Sequence, residues 1–199
     1  LQFSEKETGR VMGLVSPDSE RTMATYLGAA AELTPGDFNT LMFNDYQYAY
    51  MEGYLVFNHD LIKTGVEMAK DAGLKVAIDL ASFNVVEANL DFLKDLIKTS
   101  VDIVFANEEE AKSFTGKEPL EALHEIAGTC ELAIVKVGKQ GSYIKRGDEV
   151  IKVGTVKANA IDTTGAGDSY AAGFFYGLTH NYDLETCGRI AALVSGKVV

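Results

Sequence analysis

The sequence predicts an α/β fold in three layers, α/β/α, with a mainly parallel sheet and helices on both of its faces. Short apolar runs alternate along the chain with amphipathic segments of about 10–15 residues, which is the pattern of βαβ units. The runs 75–79 and 132–137 are short and apolar, as strands buried inside such a sheet are. Ligands on such sheets bind beyond the carboxyl ends of the strands, so the loops that follow strands are the first candidates for a site.

The amino-terminal part of the chain predicts a β-hairpin. Residues 10–16 and 22–30 are extended, β-rich runs, and Pro17-Asp18-Ser19 between them favours a turn. A loop with a helix start follows at 33–37, and the apolar run 54–57 predicts a short strand.

The remainder of the chain alternates between helices and strands. Apolar residues at helical spacing predict helices at 59–72, at 85–99, from Asn107 onwards, and at 119–127. Strands are predicted between them at 75–79, 101–105 and 132–137. An antiparallel pair is predicted at 141–146 and 150–153, around a Gly147-Asp148 turn. The loops that follow strands are at Asp79, Ala106-Asn107, Gly138 and Asp162.

Composition and charge narrow the class of protein. A net charge of −11 over 199 residues argues against a nucleic-acid or membrane-surface partner, because both are negatively charged. Cys130 and Cys187 show no C-x-x-C spacing, so we expect reduced thiols, no zinc site and a cytoplasmic protein. No apolar run reaches the ~18–20 residues of a membrane-spanning helix. Because the chain begins at Leu1 and ends at Val199 within an apolar run, we expect one domain, 1–199, that is incomplete at both ends.

The residues that point to chemistry are concentrated in the segment 162–168, Asp-Thr-Thr-Gly-Ala-Gly-Asp, which leads into an apolar, helix-like stretch. Unpaired N–H groups at a helix start attract negative charge, and Gly165 and Gly167 allow a ligand to approach the backbone closely. This pattern predicts a phosphate or oxyanion site. The adjacent carboxylate of Asp168 suggests phosphoryl transfer to a hydroxyl, with Asp168 accepting the hydroxyl proton. The alternative is structural: Asp168 caps the helix and the glycines form a turn.

The D-T-T-G-A-G-D loop and the small, apolar helix after it closely resemble the carboxyl-terminal signature of the ribokinase-like carbohydrate and nucleoside kinases, the PfkB family. The resemblance implies a ribokinase-like (Rossmann-like) fold and an ATP-dependent kinase. It also implies that Asp168 is the catalytic base. The N–H groups of Gly165, Ala166 and Gly167 would then form the anion hole.

Two further motifs match the same family. Asn107 and Glu110 form an N-x-x-E pattern, which the resemblance assigns to Mg²⁺ and phosphate, with Glu110 acting on Mg²⁺ through water. The same two residues also suit a helix capping box. Lys136, Gly138 and Gly141 form a K-x-G-x-x-G turn that the resemblance assigns to ATP. The alternative for this turn is a strand-to-strand connection that needs positive φ at glycine.

Asp162 and Thr164 match positions that help to hold a monovalent cation, K⁺, in ribokinase-like enzymes. The alternative is a turn made by side-chain-to-backbone hydrogen bonds. The loop after Asp79 reads Leu80-Ala81-Ser82-Phe83, which looks more like the adenosine-kinase branch than the D-x-N-x-R pattern of many sugar kinases. This difference favours a nucleoside over a sugar as the acceptor.

The expected function is transfer of the γ-phosphate of ATP to a primary hydroxyl of a nucleoside or sugar. A second interpretation stays open, in which the same fold is a non-catalytic sensor that binds such a small molecule. A homodimer is compatible with either function. The family's amino-terminal portion, with its lid and much of the acceptor site, has no counterpart in this sequence, so the usual acceptor-binding residues cannot be assigned.

Overall fold

A computed structural model describes residues 4–16, 21–158, 160 and 162–199, called here the described residues. Near the amino terminus, β1 (Thr8–Val15) and β2 (Arg21–Gly28) pair in antiparallel fashion, which confirms the predicted hairpin. The turn predicted at 17–19 lies outside the described residues. The extended run predicted at 22–30 ends two residues early, because a short 3₁₀ helix, Ala29–Glu32, follows β2. Gly28, with a φ of 56°, ends the strand in a left-handed conformation.

The larger sheet has six strands, and their order in the sheet follows their order in the chain. They are β3 (Tyr48–Glu52), β4 (Lys75–Asp79), β5 (Ile103–Asn107), β6 (Leu132–Lys136), β7 (Ser142–Arg146) and β8 (Glu149–Val153). The first four strands run parallel to one another. β7 is antiparallel to β6, and β8 is antiparallel to β7. The mainly parallel sheet and the antiparallel pair that the sequence predicted are both confirmed.

Helices cover both faces of this sheet. They are α1 (His59–Asp71), α2 (Phe83–Ala88), α3 (Leu90–Ser100), α4 (Glu108–Thr115), α5 (Pro119–Ile126), α6 (Ala166–Thr179) and α7 (Leu184–Val198). Side chains of α1 to α5 pack on one face, where Val104 and Val135 are buried. Side chains of α6 and α7 pack on the other face, where Phe105 and Ile134 are buried. Neighbouring strand residues therefore point into different cores, which confirms the three-layer arrangement.

Two local predictions from the sequence are wrong. The run 54–57 is not a strand but part of a 3₁₀ turn, Gly53–Phe57, because the Glu52 carboxylate accepts a hydrogen bond from the Tyr54 N–H (3.1 Å) and starts a helical turn. The strand lies immediately before it. The helix predicted at 85–99 is two helices, α2 and α3, separated at Asn89. The Asn89 side-chain amide donates to the Val85 carbonyl (3.1 Å), a local bond that competes with continuation of the helix.

The position of α6 depends on its close packing against α7. At Gly177 a Cβ atom would lie 2.9 Å from the Cα of Cys187 and 2.6 Å from its Sγ. At Gly173 it would lie 2.9 Å from the Cα of Ala191. The two helices therefore approach more closely than side chains at these glycines would allow. At the start of α6, the Ser195 hydroxyl donates to the Ala166 carbonyl (2.9 Å), which links α7 to the first residue of α6.

Among the described residues, no helix is both long enough and apolar enough to cross a lipid bilayer.

We expect Gly177→Ala to lower the free energy of unfolding by about 1–3 kcal/mol, because the added methyl group has no space against Cys187. Gly196→Ala in α7 is the matched control, since a Cβ there meets nothing closer than Val156 at 3.5 Å. The control substitution should leave the protein equally stable or stabilise it by up to about 1 kcal/mol through helix propensity. Urea denaturation of the two variants measures the difference. Equal effects of the two substitutions would contradict the close packing of α6 on α7.

Candidate active site

Four parallel strands bring polar side chains to one edge of the sheet. Glu52 ends β3 and lies beside Asp79, which ends β4. Asn107 ends β5 and lies beside Lys136, which ends β6. The segment 162–168 leads into α6 at this same edge, because a Cβ on Gly167 would lie 3.3 Å from the Lys136 Nζ. The structure thus brings together residues that are more than a hundred positions apart in the chain.

Asn107 and Glu110 form a reciprocal capping box at the start of α4. The Asn107 N–H donates to Glu110 Oε2 (2.7 Å), and the Asn107 Nδ2 donates to Glu110 Oε1 (2.7 Å). In return, the Glu110 N–H donates to Asn107 Oδ1 (2.8 Å). The Glu110 side chain is buried, and burial raises its pKa to about 7. The negative charge of Asp79 adds to this rise, while the Lys136 ammonium opposes it.

Asp79 and Lys136 form an ion pair with an Nζ to Oδ2 distance of 2.9 Å. Only 10% of the Asp79 side chain and 17% of the Lys136 side chain are exposed, so the pair is largely withdrawn from water. The other carboxylate oxygen of Asp79 accepts a hydrogen bond from the Ala81 N–H (3.0 Å). Ala81 has a φ of 64°, a conformation that is uncommon for a residue with a side chain. Asp79 therefore links a constrained loop to the Lys136 ammonium.

The loop before α6 has the geometry of a helix start with unused amide donors. Gly165 is in the left-handed conformation, with a φ of 76°. The Ala166 N–H donates to the Thr163 carbonyl (3.2 Å), so this amide is engaged in the turn. For the N–H groups of Gly165, Gly167 and Asp168, the described part of the chain offers no hydrogen-bond acceptor. Asp168 is exposed at the start of the helix.

Asp162 and Thr164 form a compact turn. The N–H and the hydroxyl of Thr164 both donate to Asp162 Oδ1, at 2.8 Å and 2.7 Å. This is the side-chain-to-backbone turn that the sequence allowed as an alternative to a cation site.

Gly138 and Gly141 lie in the connection between β6 and β7, with φ values of 51° and 95°. A Cβ on Gly141 would lie 1.9 Å from the Val153 carbonyl oxygen, so only glycine fits this approach to β8. The turn geometry alone therefore accounts for both glycines. Their contact with ATP stays a prediction.

Glu52 lies at the same edge of the sheet as the candidate site residues, although its sequence context did not point to it. Burial raises its pKa to about 7, the hydrogen bond from the Tyr54 N–H opposes this rise, and the negative charges of Asp79 and Asp168 add to it. The neighbouring Tyr50 hydroxyl is buried and has no hydrogen-bond partner among the described residues. Burial and the same carboxylates raise the pKa of this phenol. The sequence predicted the strand at 54–57, so Glu52 lay before it. In the structure the strand is β3, and Glu52 is its last residue.

The residues present fit a Mg²⁺ ion that keeps most of its own water. Among the described residues, no group of three or more His, Cys, Asp or Glu side chains could hold a metal ion. Both oxygens of Glu110 already accept hydrogen bonds from Asn107, which favours contact with a metal through water. Mg²⁺ at phosphate-binding sites commonly has few protein ligands and several waters.

The chain belongs to the pfkB family of carbohydrate kinases, whose family model matches residues 2–199. A probable sugar kinase from Rhizobium etli has a similar structure, with a TM-score of 0.90 and 36% sequence identity over 94% of this chain. The adenosine kinase from Sinorhizobium meliloti has a TM-score of 0.89 and 38% identity over 95% of this chain. A nucleoside kinase from Methanocaldococcus jannaschii is 29% identical over the whole chain. These similarities confirm the ribokinase-like fold predicted from the 162–168 loop.

The chain covers 59% of the Rhizobium protein, 60% of the Sinorhizobium protein and 63% of the Methanocaldococcus protein. The similarity therefore establishes the family and the fold of this part. What the whole protein does, and on which acceptor, is a matter for proposal.

We expect the free energy of unfolding to fall as the pH rises from about 4.5 to about 7. The folded protein holds a proton on Glu110 in this range, whereas the unfolded chain, with the ordinary pKa of 4.5, does not. The stabilisation is complete below the unfolded pKa and is lost as the pH approaches the folded one. Glu52 contributes with the same sign. The expected contribution of Glu110 is on the order of 2–3 kcal/mol.

Urea titrations between pH 5 and pH 8 in the absence of nucleotide measure this slope. Glu110→Gln should flatten the slope, and the remaining slope belongs to Glu52. Glu67→Gln, an exposed glutamate on α1 whose charge does not act on Glu110 or Glu52, is the control and should leave the slope unchanged. An identical slope in wild type and Glu110→Gln would contradict the assignment.

Proposed function

We propose that the complete protein is an ATP-dependent phosphotransferase, which moves the γ-phosphate of ATP to a primary hydroxyl of a nucleoside or a sugar. The observation that carries the proposal is the loop before α6. There the N–H groups of Gly165, Gly167 and Asp168 have no acceptor among the described residues, and an exposed carboxylate stands beside them. Unpaired donors at a helix start favour an oxyanion, and a carboxylate beside them can accept a proton from the attacking group.

In this proposal Asp168 accepts the proton of the acceptor hydroxyl while the hydroxyl oxygen attacks the γ-phosphorus. The amides of Gly165, Ala166 and Gly167 face the oxygens of the phosphoryl group. Ala166 contributes least, because its N–H already donates to Thr163 at 3.2 Å. A carboxylate at a helix start is a weak base, so alignment of the reactants and stabilisation of charge would supply most of the rate.

A groove of about 650 Å³ between the end of β8 and α7 offers a place for the rest of the nucleotide. Val153, Val156, Ile190 and Leu193 give it an apolar wall that suits an aromatic base. The groove adjoins the K-x-G-x-x-G turn, since the Thr155 hydroxyl donates to the Lys139 carbonyl (3.3 Å). ATP in this groove would extend its phosphates past Gly138 and Gly141 towards Lys136 and the 162–168 loop.

Mg²⁺ fits beside Asn107 and Glu110, with Glu110 acting through water. A bound Mg²⁺ would offset the charge of the phosphates. A monovalent cation at Asp162 and Thr164 stays a prediction, because their hydrogen bonds are those that the turn itself requires. We also infer a cytoplasmic protein, which agrees with the unpaired thiols of Cys130 and Cys187. A homodimer stays compatible with the proposal.

We favour a nucleoside over a sugar as the acceptor. The support is the Leu80-Ala81-Ser82-Phe83 loop together with the adenosine kinase from Sinorhizobium meliloti at 38% identity. The similarity to a probable sugar kinase at 36% identity keeps a sugar as the second candidate. ATP consumption by the complete protein, assayed with adenosine, inosine, ribose, fructose and 2-keto-3-deoxygluconate, separates the candidates. Turnover with adenosine or inosine would support the proposal. Turnover with sugars alone would overturn the choice of nucleoside, and no turnover with any acceptor would favour a binding protein.

We expect Asp168→Asn to reduce kcat of the complete protein by at least about 10²-fold, because the acceptor proton then has no base. Binding of ATP, measured by isothermal titration calorimetry, should stay within about threefold of wild type, because the carboxylate does not hold the nucleotide. Asp91→Asn is the control, since Asp91 is also an exposed carboxylate in the first turn of a helix, α3. Near-normal turnover in Asp168→Asn would exclude Asp168 as the base.

A further inference from the structure

Two kinds of unused hydrogen-bond donor converge on Gly167. The backbone N–H groups of Gly167 and Asp168 have no acceptor among the described residues. The Lys136 Nζ lies at the same place, 3.3 Å from where a Cβ of Gly167 would be. An ammonium group has three donors, and in the described structure Lys136 uses one of them, on Asp79 Oδ2 at 2.9 Å. Two ammonium donors therefore stay available beside the amides.

An ion pair alone does not account for this arrangement. Removing two charges from water costs several kcal/mol for each ion, and a largely buried pair repays that cost only when its hydrogen bonds are satisfied. Asp79 is well satisfied, because its two carboxylate oxygens accept from Lys136 and from the Ala81 N–H. Lys136 has one acceptor among the described residues, Asp79 Oδ2, and its remaining donors lie beside the unpaired amides before and within the first turn of α6. This placement suits an anionic ligand.

The negative charges around Lys136 make its ammonium important for any anionic ligand at this edge, because the ammonium offsets their repulsion. Glu52, Glu110 and Asp168 stand near the same edge of the sheet as Asp79, and all four side chains carry a carboxyl group. Each of these carboxyl groups repels a phosphoryl group at this edge when it is ionised. The positive charge of the Lys136 ammonium acts on Glu110, and the ammonium lies beside Gly167 in the first turn of α6.

We propose that Lys136 is a catalytic residue, whose ammonium donates to the oxygens of the phosphoryl group in transfer, and that Asp79 is the positioning residue that aims it at the loop before α6. This proposal rests on the proposed function and adds a charged donor to the backbone amides. In transfer, the bond from the γ-phosphorus to the bridging oxygen breaks as the bond to the acceptor oxygen forms. Negative charge lies on the non-bridging oxygens throughout. A donor fixed in advance beside those oxygens stabilises this charge without reorganisation.

The geometry gives the two residues different expected effects. Loss of the Lys136 ammonium removes a donor that acts mainly in the transition state, so kcat falls and binding of ATP changes little. Loss of the Asp79 charge leaves the ammonium present but free to move, so the effect has the same character and a smaller size. Because Asp79 acts through Lys136, its substitution has no further effect on kcat once the ammonium is gone.

The test uses the complete protein and the variants Lys136→Met, Asp79→Asn and the double variant. Lys136→Met should lower kcat by about 10²–10³-fold, as loss of one donor from an oxyanion hole does. Asp79→Asn should lower it by about tenfold. The double variant should match Lys136→Met, whereas a merely structural role of Asp79 would give additive losses. Dissociation constants of ATP, from calorimetry, should stay within about threefold of wild type in all three variants.

A second measurement does not depend on turnover. ADP with aluminium fluoride mimics the phosphoryl group in transfer, and its affinity relative to ADP alone should fall in Lys136→Met by a factor similar to that for kcat. Lys70→Met is the matched control, because Lys70 also pairs with an aspartate, Asp102 at 2.8 Å, beside the amino end of β4. It should keep the kcat and the aluminium fluoride affinity of wild type.

The outcomes separate this inference from the proposed function. A wild-type protein without turnover on any acceptor overturns the proposed function. An active wild type, with Lys136→Met unchanged in kcat and in affinity for ADP with aluminium fluoride, overturns the role of Lys136. Additive losses in the double variant overturn the positioning role of Asp79. If Lys136→Met does not fold because Asp79 is left buried and unpaired, the double variant, which removes both charges, decides the role of Lys136.

Discussion

The parallel alignment of β3 to β6 is the constraint on which the whole site depends. It sets the last residues of four strands at one edge of the sheet, so that Glu52 stands beside Asp79 and Asn107 beside Lys136. The alignment is held by two apolar cores, one under α1 to α5 and one under α6 and α7. A shift by one residue would exchange the faces to which the side chains of a strand point and would expose both cores. Hydrophobic packing therefore fixes the polar geometry.

That geometry places several carboxyl groups at one edge of the sheet, and two of them, Asp79 and Glu110, are buried. The consequence is visible in both glutamates, because burial and neighbouring carboxylates raise the pKa of Glu52 and of Glu110 to about 7. The Lys136 ammonium counters part of this charge through its contact with Asp79. A site of this kind is costly for the unliganded fold and is suited to a ligand that arrives with cations. This arrangement of carboxyl groups therefore lowers the stability of the unliganded fold at the edge where phosphate would bind, as is common at functional sites.

Local motifs with a known residue pattern were readable from the sequence, but two breaks made by a single side-chain hydrogen bond within an apolar run were not. The capping box of Asn107 and Glu110 was readable because all its donors and acceptors lie within one turn of helix. The run at 54–57 was misread as a strand, because its apolar composition suits a strand as well as a buried turn, and the Glu52 carboxylate starts a helical turn there. Glu52 was missed with it. The break at Asn89 was missed because apolar spacing continues across it, while a single side-chain hydrogen bond separates α2 from α3.

The sequence by itself determined the alternation of strands and helices, the Gly-rich loop at 162–168 and the family to which that loop belongs. These features depend on residue periodicity and on short motifs, whose physical causes act within a few residues of the chain. Only the tertiary structure decided that Asp79 holds Lys136 and that the Lys136 ammonium stands against Gly167. It also decided that Glu52 lies at the same edge of the sheet as Asp79 and Lys136. These contacts join segments far apart in the chain, and only the packing of sheet and helices sets which distant side chains become neighbours.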